Sequence, residues 1–323
     1  MKITMIGTGY VGLVSGVCFS EFGHEVVCVD KDAGKIDALK KGEIPIYEPG
    51  LDALVAKNTK EGRLTFTTEL ADAVAGADAV FIAVGTPTRR GDGHADLTFV
   101  YAAAEDVAAH LDGYTVIVTK STVPLGTNRH VRHLVKKANS SADFDVASNP
   151  EFLREGAAIE DFMKPDRVVI GAQADLAKDT MRAIYAPLSD QGYPVLVTDL
   201  ESAEMIKYAA NAFLATKITF VNEIAALCER VGADVKLVSH GMGLDDRIGS
   251  RFLNAGPGYG GSCFPKDTKA LARIGQDNGM QMQITETVIS VNEDTKRRMI
   301  DKIMELCDDT VNGKIITILG VTF

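Results

Sequence analysis

The sequence predicts an α/β fold. A doubly wound sheet occupies residues 1–200, a helical region occupies 201–310, and residues 311–323 form the first strand of a further α/β unit. Three observations carry this reading. Short Val- and Ile-rich runs alternate with helical patterns through the first 200 residues. Residues 201–230 then run without Gly or Pro. The chain closes on GKIITILGVTF (313–323), a Gly turn followed by an apolar run.

The apolar runs are ITMIG (3–7), VVCVD (26–30), AVFIAV (79–84), TVIVT (115–119), VVIG (168–171) and VLVTD (195–199), with a shorter strand at DVAS (145–148). They show no polar alternation, as expected for strands of a parallel sheet buried on both faces. Helical segments between them complete βαβ units. From 201 to 230, apolar positions recur at helical spacing (Met205, Ala209, Ala212, Phe213, Thr216, Phe220, Ile224, Leu227). Thirty residues is long for a helix of a globular domain. It reads as a central helix joining two lobes and forming a homodimer interface; a buried core helix is the plainer alternative. A Gly-rich stretch, NAGPGYGGSCFPKD (254–267), precedes helical patterns near 267–279 and 284–309. A first strand without sheet partners implies that the third unit is truncated.

A net charge of −10 argues against a surface that tracks nucleic-acid phosphates. No run of about 18 apolar residues exists to span a membrane. The opening MKITMIGTGYVG reads as a first buried strand, because its glycines and the lack of a cleavage region do not suit a signal peptide. Five scattered cysteines without C-x-x-C spacing argue against a metal site and a disulfide framework, and suit a reducing cytoplasm.

Gly7-Thr8-Gly9-Tyr10-Val11-Gly12 matches G-x-G-x-x-G directly after a strand and at the opening of a helix. Gly7 permits the tight turn, Gly9 admits a pyrophosphate to the backbone, and Gly12 lets helix and strand pack closely. Asp30 ends the second strand, where its carboxylate accepts from ribose hydroxyls and repels a 2′-phosphate. This is a Rossmann-type site for NAD rather than NADP, with Lys31 partly offsetting that repulsion.

Cys263 lies in GYGGSCFPKD. The glycines let a ligand approach the backbone, and Pro265 suits the first turn of a helix. The helix end and Lys266 would draw the thiol toward its thiolate; a buried inert Cys is the alternative. Lys207 and Asn211 are four apart on the long helix and share one face. They suit a developing oxyanion, or equally an ordinary helix surface. Three loops follow strand ends, where open α/β sheets place ligands: Asn149-Pro150-Glu151-Phe152-Leu153-Arg154-Glu155-Gly156, Ser121-Thr122-Val123-Pro124 and Gly85-Thr86-Pro87. Glu151 and Glu155 read as bases, as residues that position water, or as ordinary acids near a helix start.

Together these residues resemble the UDP-glucose dehydrogenase family, within the wider group of nucleotide-sugar 6-dehydrogenases. The resemblance runs along nearly the whole chain, through GTGYVG (7–12), YEPGL (47–51), AVGTP (83–87), KSTVPLGT (120–127), NPEFLREG (149–156), DRVVIG (166–171), EMIKYAANAF (204–213), RIG (247–249), GYGGSCFPKD (258–267) and GVTF (320–323). It implies Cys263 as nucleophile, Lys207 and Asn211 as the polar pocket at C6, and Asp267 with Thr122 positioning a water. Glu151 would be a base or water activator, and Glu155 would lie near the nicotinamide. Phe152, Leu153 and Arg154 would line the sugar-nucleotide site with Phe252, Leu253, Asn254, Ala255, Gly256 and Gly260. Tyr10, Val11, Asp30, Lys35, Thr86, Thr122 and Lys266 would contact NAD, and Arg247 would reach the substrate of a partner subunit.

The implied reaction oxidises the C6 alcohol of UDP-glucose twice. Thiolate attack on the aldehyde restores a carbinol C–H, the second hydride leaves a thioester, and water releases the carboxylate. Relatives acting on N-acetylated mannosamine sugars carry His where this chain has Ser262, which leaves GDP-mannose as the alternative substrate. Two other readings remain open at this level: a truncated NAD-binding fragment with little activity, and a single-step hydroxyacid dehydrogenase that does not need Cys263.

Overall fold

A computed structural model describes residues 1–89 and 94–319. The chain divides into two compact units. The first comprises Met1–Thr88 and Ala95–Lys207; the second takes Arg89, His94 and the described residues from Tyr208 onward.

The first unit runs β1 (Lys2–Ile6), α1 (Tyr10–Glu21), β2 (Glu25–Val29), α2 (Ala33–Lys40), α3 (Leu51–Lys60) and β3 (Leu64–Thr67). It continues through α4 (Leu70–Val74), β4 (Ala79–Ile82), α5 (Thr98–Ala108), β5 (Thr115–Thr119), α6 (Thr127–Ala138) and β6 (Phe144–Ser148). Then come α7 (Ala158–Met163), β7 (Val168–Ala172), α8 (Asp175–Ile184), α9 (Ala186–Ser189), β8 (Val195–Thr198) and the start of α10 (Leu200–Val231). The eight strands form one sheet in the order β3-β2-β1-β4-β5-β6-β7-β8. The order reverses at β1, which pairs with β2 on one side and β4 on the other. The carboxyl ends of β1 and β4 therefore flank the crevice where such sheets take ligands.

Both faces of the sheet are covered, which is why its strands read as unbroken apolar runs. One layer packs Leu13, Val17 and Phe19 of α1 on Met5, Val26 and Phe81. The other packs Val100 and Val107 of α5 and Val131 and Val135 of α6 on Ile6, Val80 and Ile82.

The structure departs from the sequence reading in three ways here. The sheet is not wholly parallel, because β7 runs antiparallel to β6 through Ala147↔Ala172 and Ser148↔Gly171. An apolar run buried on both faces looks the same in either direction, so the sequence does not encode this reversal. Strand β3 was not anticipated: it is a four-residue edge strand with alternating burial, too short for a clear period. β8 lies at the opposite edge and is not buried, with Leu196 48% exposed.

The long helix α10 has 32 residues, close to the expected 201–230. Its first turns lie against β7. A Cβ at Gly171 would come within 2.6 Å of the Ala203 Cβ and 2.7 Å of the Asp199 carbonyl oxygen. Glu204, buried on α10, accepts from the Gly126 N–H (2.7 Å), the Asn128 N–H (3.0 Å) and the Asn128 amide (2.8 Å). It serves the uncapped first turn of α6.

The second unit holds the rest of α10, α11 (Val235–Gly243), α12 (Phe264–Asp277) and α13 (Gln283–Leu306). Its small core joins Ala215, Tyr259 and Val288, with Ile218 and Phe264 against them. Residues 311–319 form no strand, contrary to expectation, and Ile315, Ile318 and Leu319 are exposed. A strand is defined by its ladder, and among the described residues none pairs with these in one. GVTF (320–323) lies outside the described residues.

The close approach at Gly171 makes a prediction. Gly171→Ala is expected to destabilise the chain by about 1–3 kcal/mol through overpacking. A urea midpoint equal to that of the unaltered chain would show that the contact relaxes without cost.

Candidate functional site

In the first unit the glycine loop takes its shape from two close approaches, at Gly7 and Gly12. Gly7 has φ of +100°, and its N–H donates to the Val29 carbonyl at 2.8 Å. A Cβ at Gly12 would stand 1.9 Å from the Gly7 carbonyl oxygen, so only glycine lets α1 start this close to β1. A Cβ at Gly9 would meet nothing within 4 Å. Gly9 is the N-cap of α1 and no side chain caps that turn. The N–H groups of Tyr10, Val11 and Gly12 thus have no acceptor within the helix, and the open position at Gly9 lets a pyrophosphate approach that turn.

Asp30, just past β2, holds the other end of this pocket. Its carboxylate accepts from the Thr8 N–H (2.9 Å), the Thr8 hydroxyl (2.7 Å) and the Asp32 N–H (3.0 Å). Lys35 approaches to 4.0 Å. Burial pushes the carboxyl up, but these donors and the Lys35 charge outweigh it and hold the group below the usual carboxylate range. Lys31, expected to soften the charge, is instead paired with Asp106 at 2.9 Å. The pocket end therefore presents a negative charge, which suits ribose hydroxyls.

Tyr10 does more than open the helix. Its hydroxyl donates to the Glu48 carboxylate and accepts from the Gly156 N–H at 2.8 Å. Buried Glu48 also takes the N–H groups of Gly156 (2.9 Å), Ala158 (2.8 Å) and Ile159 (3.3 Å). Burial, the Glu48 hydrogen bond and the Glu48 charge push the Tyr10 phenol well above its ordinary value. The glycine loop is thereby tied to the 149–156 loop. The sequence showed Glu48 only as part of YEPGL, with no sign of its partners.

The carboxyl ends of β4, β5 and β6 are stitched together. The Thr86 hydroxyl donates to the Thr122 carbonyl at 3.0 Å, and the Ser121 hydroxyl donates to the Val84 carbonyl at 2.6 Å. The Asn149 N–H donates to the Thr119 carbonyl at 2.9 Å. Glu151 follows and is buried. One carboxylate oxygen lies 3.4 Å from the Lys207 ammonium, and the other accepts from the Leu153 N–H at 2.7 Å. The Phe152 ring carries the Arg167 guanidinium at 3.8 Å and the Lys207 ammonium at 5.1 Å from its centroid. Arg154 is exposed and its guanidinium is held by Asp161, while Glu155 is exposed.

In the second unit Cys263 is the N-cap of α12, with Pro265 in the first turn and the thiol partly exposed. Its sulfur lies 3.6 Å from the Ser262 hydroxyl. The Gly-rich approach is clamped by buried Asn292 of α13, which accepts from the Tyr259 N–H (2.8 Å) and donates to the Tyr259 carbonyl (3.1 Å). A Cβ at Gly258, where φ is +110°, would fall 2.8 Å from the Asn292 Oδ1. Asp267 is buried one turn along α12. Its N–H donates to the Cys263 carbonyl (2.8 Å), and its carboxylate accepts from the Asn211 amide (2.6 Å) and the Lys266 ammonium (2.8 Å). Lys266, expected beside the thiol, is thus paired with Asp267. Asn211 is oriented by Asp267 and keeps a second amide N–H.

The 252–256 segment is shaped by a left-handed Phe252 (φ 64°) and by the Gly256 N–H donating to Asn222 at 2.7 Å. Leu253 is buried, whereas Asn254, Ala255, Gly256 and Gly260 are exposed. Arg247 is exposed and bound by Asp245. Among the described residues, no group of three His, Cys, Asp or Glu side chains is arranged to hold a metal ion.

The NAD-binding-domain profile of the UDP-glucose/GDP-mannose dehydrogenase family matches residues 1–189, and its central-domain profile matches 201–294. The chain belongs to the UDP-glucose/GDP-mannose dehydrogenase family. It is an NAD-dependent dehydrogenase. Over its whole length this dehydrogenase is 60% identical to the UDP-glucose 6-dehydrogenase of Rhizobium meliloti, covering 74% of that protein. It is 54% identical to UDP-glucose 6-dehydrogenase TuaD of Bacillus subtilis, covering 69%. Its structure matches a UDP-glucose dehydrogenase from Pyrobaculum islandicum with a TM-score of 0.91 at 44% identity, over 95% of this chain and 71% of that one. A GDP-mannose dehydrogenase from Pseudomonas aeruginosa matches with a TM-score of 0.74 at 34% identity, over 94% and 71%.

The Asp30 geometry yields a measurable expectation. Asp30→Ala removes a charged acceptor and should weaken NAD binding roughly tenfold or more, with less discrimination against NADP. Fluorescence titration with both cofactors checks it, and unchanged affinities for both would remove Asp30 from the cofactor site.

Proposed function

We propose that this chain oxidises the C6 alcohol of UDP-glucose twice, to UDP-glucuronate, through a covalent intermediate on Cys263. The observation that carries the reading is the partly exposed Cys263 thiol at the start of α12, one turn from a buried Asp267 that orients Asn211. The 60% identity to a UDP-glucose 6-dehydrogenase supports the substrate. GDP-mannose is favoured less, since the GDP-mannose dehydrogenase match is at 34%.

NAD, when bound, supplies the hydride acceptor for each of the two oxidations. The open first turn of α1 binds its pyrophosphate and Asp30 its ribose. In the first oxidation C6 loses hydride and its hydroxyl loses a proton, giving an aldehyde. The Lys207 ammonium and the free N–H of Asn211 stabilise negative charge on that oxygen. The Cys263 thiolate then bonds to C6, the carbonyl oxygen takes up a proton, and the resulting thiohemiacetal presents a carbinol C–H. A second hydride leaves together with the hydroxyl proton, and the carbon becomes a thioester. Water held by Asp267 and Thr122, with Glu151 taking its proton, attacks that carbon. The C–S bond breaks, the thiolate leaves and the carboxylate is formed. Phe152, Leu153, Arg154 and the 252–256 segment bind the sugar nucleotide in this reading.

The test is stoichiometric. Two NADH per UDP-glucose are expected, and Cys263→Ser should lower net turnover by roughly 10³-fold or more. One NADH per sugar nucleotide, with full activity in Cys263→Ser, would mean a single-step dehydrogenase that does not use the thiol. NAD binding without turnover would favour a fragment of little activity.

A homodimer through α10 is part of the same proposal. Phe213, Phe220 and Leu227 are spaced by seven and exposed by 66%, 47% and 56%, a large apolar stripe on one helix face. Sedimentation should report a dimer, and Phe213→Asp with Phe220→Asp should shift it to monomer; an unaltered mass in the double variant would place the interface elsewhere. No helix of the described residues is long and apolar enough to cross a membrane. Five free thiols suit a reducing compartment, and we place the chain in the cytoplasm.

A further inference from the structure

Lys120 follows β5 and is 3% exposed. Its ammonium donates to the Asn149 Oδ1 at 3.0 Å and reaches the Tyr185 hydroxyl at 3.4 Å. It also lies 5.6 Å from the centroid of the Phe162 ring. Among the described residues, no carboxylate comes within ion-pair distance of it. A buried cation held only by neutral acceptors is costly. A methionine would fill similar space without desolvating a charge, so the charge calls for a role.

The partner of that cation is fully specified. The Asn149 Oδ1 also accepts from the Tyr185 hydroxyl at 2.6 Å, and its amide N–H donates to the Val169 carbonyl at 2.8 Å. Its backbone N–H is held by Thr119. Asn149 thus spans β5, β6 and β7 where the sheet changes from parallel to antiparallel pairing. Pro150 comes next, with a fixed φ that transmits the orientation of Asn149 with little slack. Glu151 follows, 3.4 Å from Lys207.

We propose that Lys120 is a positioning residue for the oxidation: its buried ammonium, anchored on Asn149 and Tyr185, fixes the Asn149-Pro150-Glu151 turn and so the place of the Glu151 carboxylate beside Lys207. This rests on the function proposed above. Lys120 does not touch substrate in this reading; it acts through Asn149. The groups that face it are Glu151, Lys207, the Cys18 thiol, Tyr185 and Asn149. Burial pushes its ammonium down to about 8; the charge of Glu151 opposes that push and the charge of Lys207 adds to it. The charge that holds the turn is therefore present below this pH and lost above it, which gives kcat a basic limb near pH 8.

The experiment is the pH profile of kcat for UDP-glucose oxidation by the chain, by Lys120→Met and by Tyr185→Phe. Lys120→Met should lower kcat roughly tenfold to a hundredfold through misplacement of Glu151. KM for NAD should stay within about twofold, and the basic limb should disappear. Tyr185→Phe removes an acceptor of the ammonium, so its limb should move to lower pH. Folded Lys120→Met with unaltered kcat and limb overturns the proposal. Should Lys120→Met fail to fold, Tyr185→Phe decides: a limb that does not move overturns it too. An unaltered chain that oxidises no UDP-glucose overturns the function reading itself, a distinct result from turnover that the variants leave unchanged.

Discussion

Strands of a buried sheet leave backbone N–H and C=O groups unpaired at their carboxyl ends, and those groups must find partners. In the first unit the pairing is done by the loops that follow β4, β5 and β6. Thr86 and Ser121 bridge the ends of β4 and β5, and Asn149 ties β6 to both neighbours. Satisfying the backbone and placing the side chains of these loops are therefore one task. A loop that drifted would lose hydrogen bonds as well as geometry. The glycine loop obeys the same constraint, since Gly7 donates to Val29 and leaves the N–H groups of α1 free for a ligand.

The second unit solves a similar problem with less sheet and more side chain. The approach to Cys263 is Gly-rich and would be floppy alone, because glycine loses much backbone freedom on ordering. Asn292 removes that freedom with two hydrogen bonds to Tyr259, and Gly258 has φ of +110°, which glycine adopts readily. Asp267 then serves three groups at once: the first bond of α12, the amide of Asn211 and the ammonium of Lys266. A buried carboxylate with such partners is stiff, and it orients Asn211 as a donor.

Much of this was legible in the sequence, and what was missed shares a cause. The strands β1, β2, β4, β5, β7 and β8 announce themselves as apolar runs, and α10 as thirty residues without a breaker. Chain direction does not leave that kind of trace, so the reversed pairing of β7 was invisible. The terminal apolar run misled for the converse reason: composition suits a strand, but pairing makes one. Within the two units, local motifs pointed to Gly7, Asp30 and Cys263, whereas Glu48, Lys120 and Asn292 depend on partners 29 to 111 residues away. Lys266 was assigned to the thiol from adjacency, but the next residue, Asp267, lay within easier reach of its ammonium.

Three buried glutamates show why residue type alone does not give a role. Glu48 is saturated: three backbone N–H groups and the Tyr10 hydroxyl converge on it. Glu204 takes two backbone N–H groups and an amide, with burial pushing its carboxyl up. Both do what a cap does, and neither has an oxygen to spare. Glu151 takes a single backbone N–H, and its other oxygen faces the Lys207 ammonium at 3.4 Å, a long separation for a charge-assisted hydrogen bond. A carboxylate bound by backbone amides cannot exchange partners without breaking the fold. One facing a side-chain ammonium can, because that contact holds no backbone group in place. In the proposed reaction Glu151 takes a proton, which requires such an exchange, and the count of backbone donors separates it from Glu48 and Glu204.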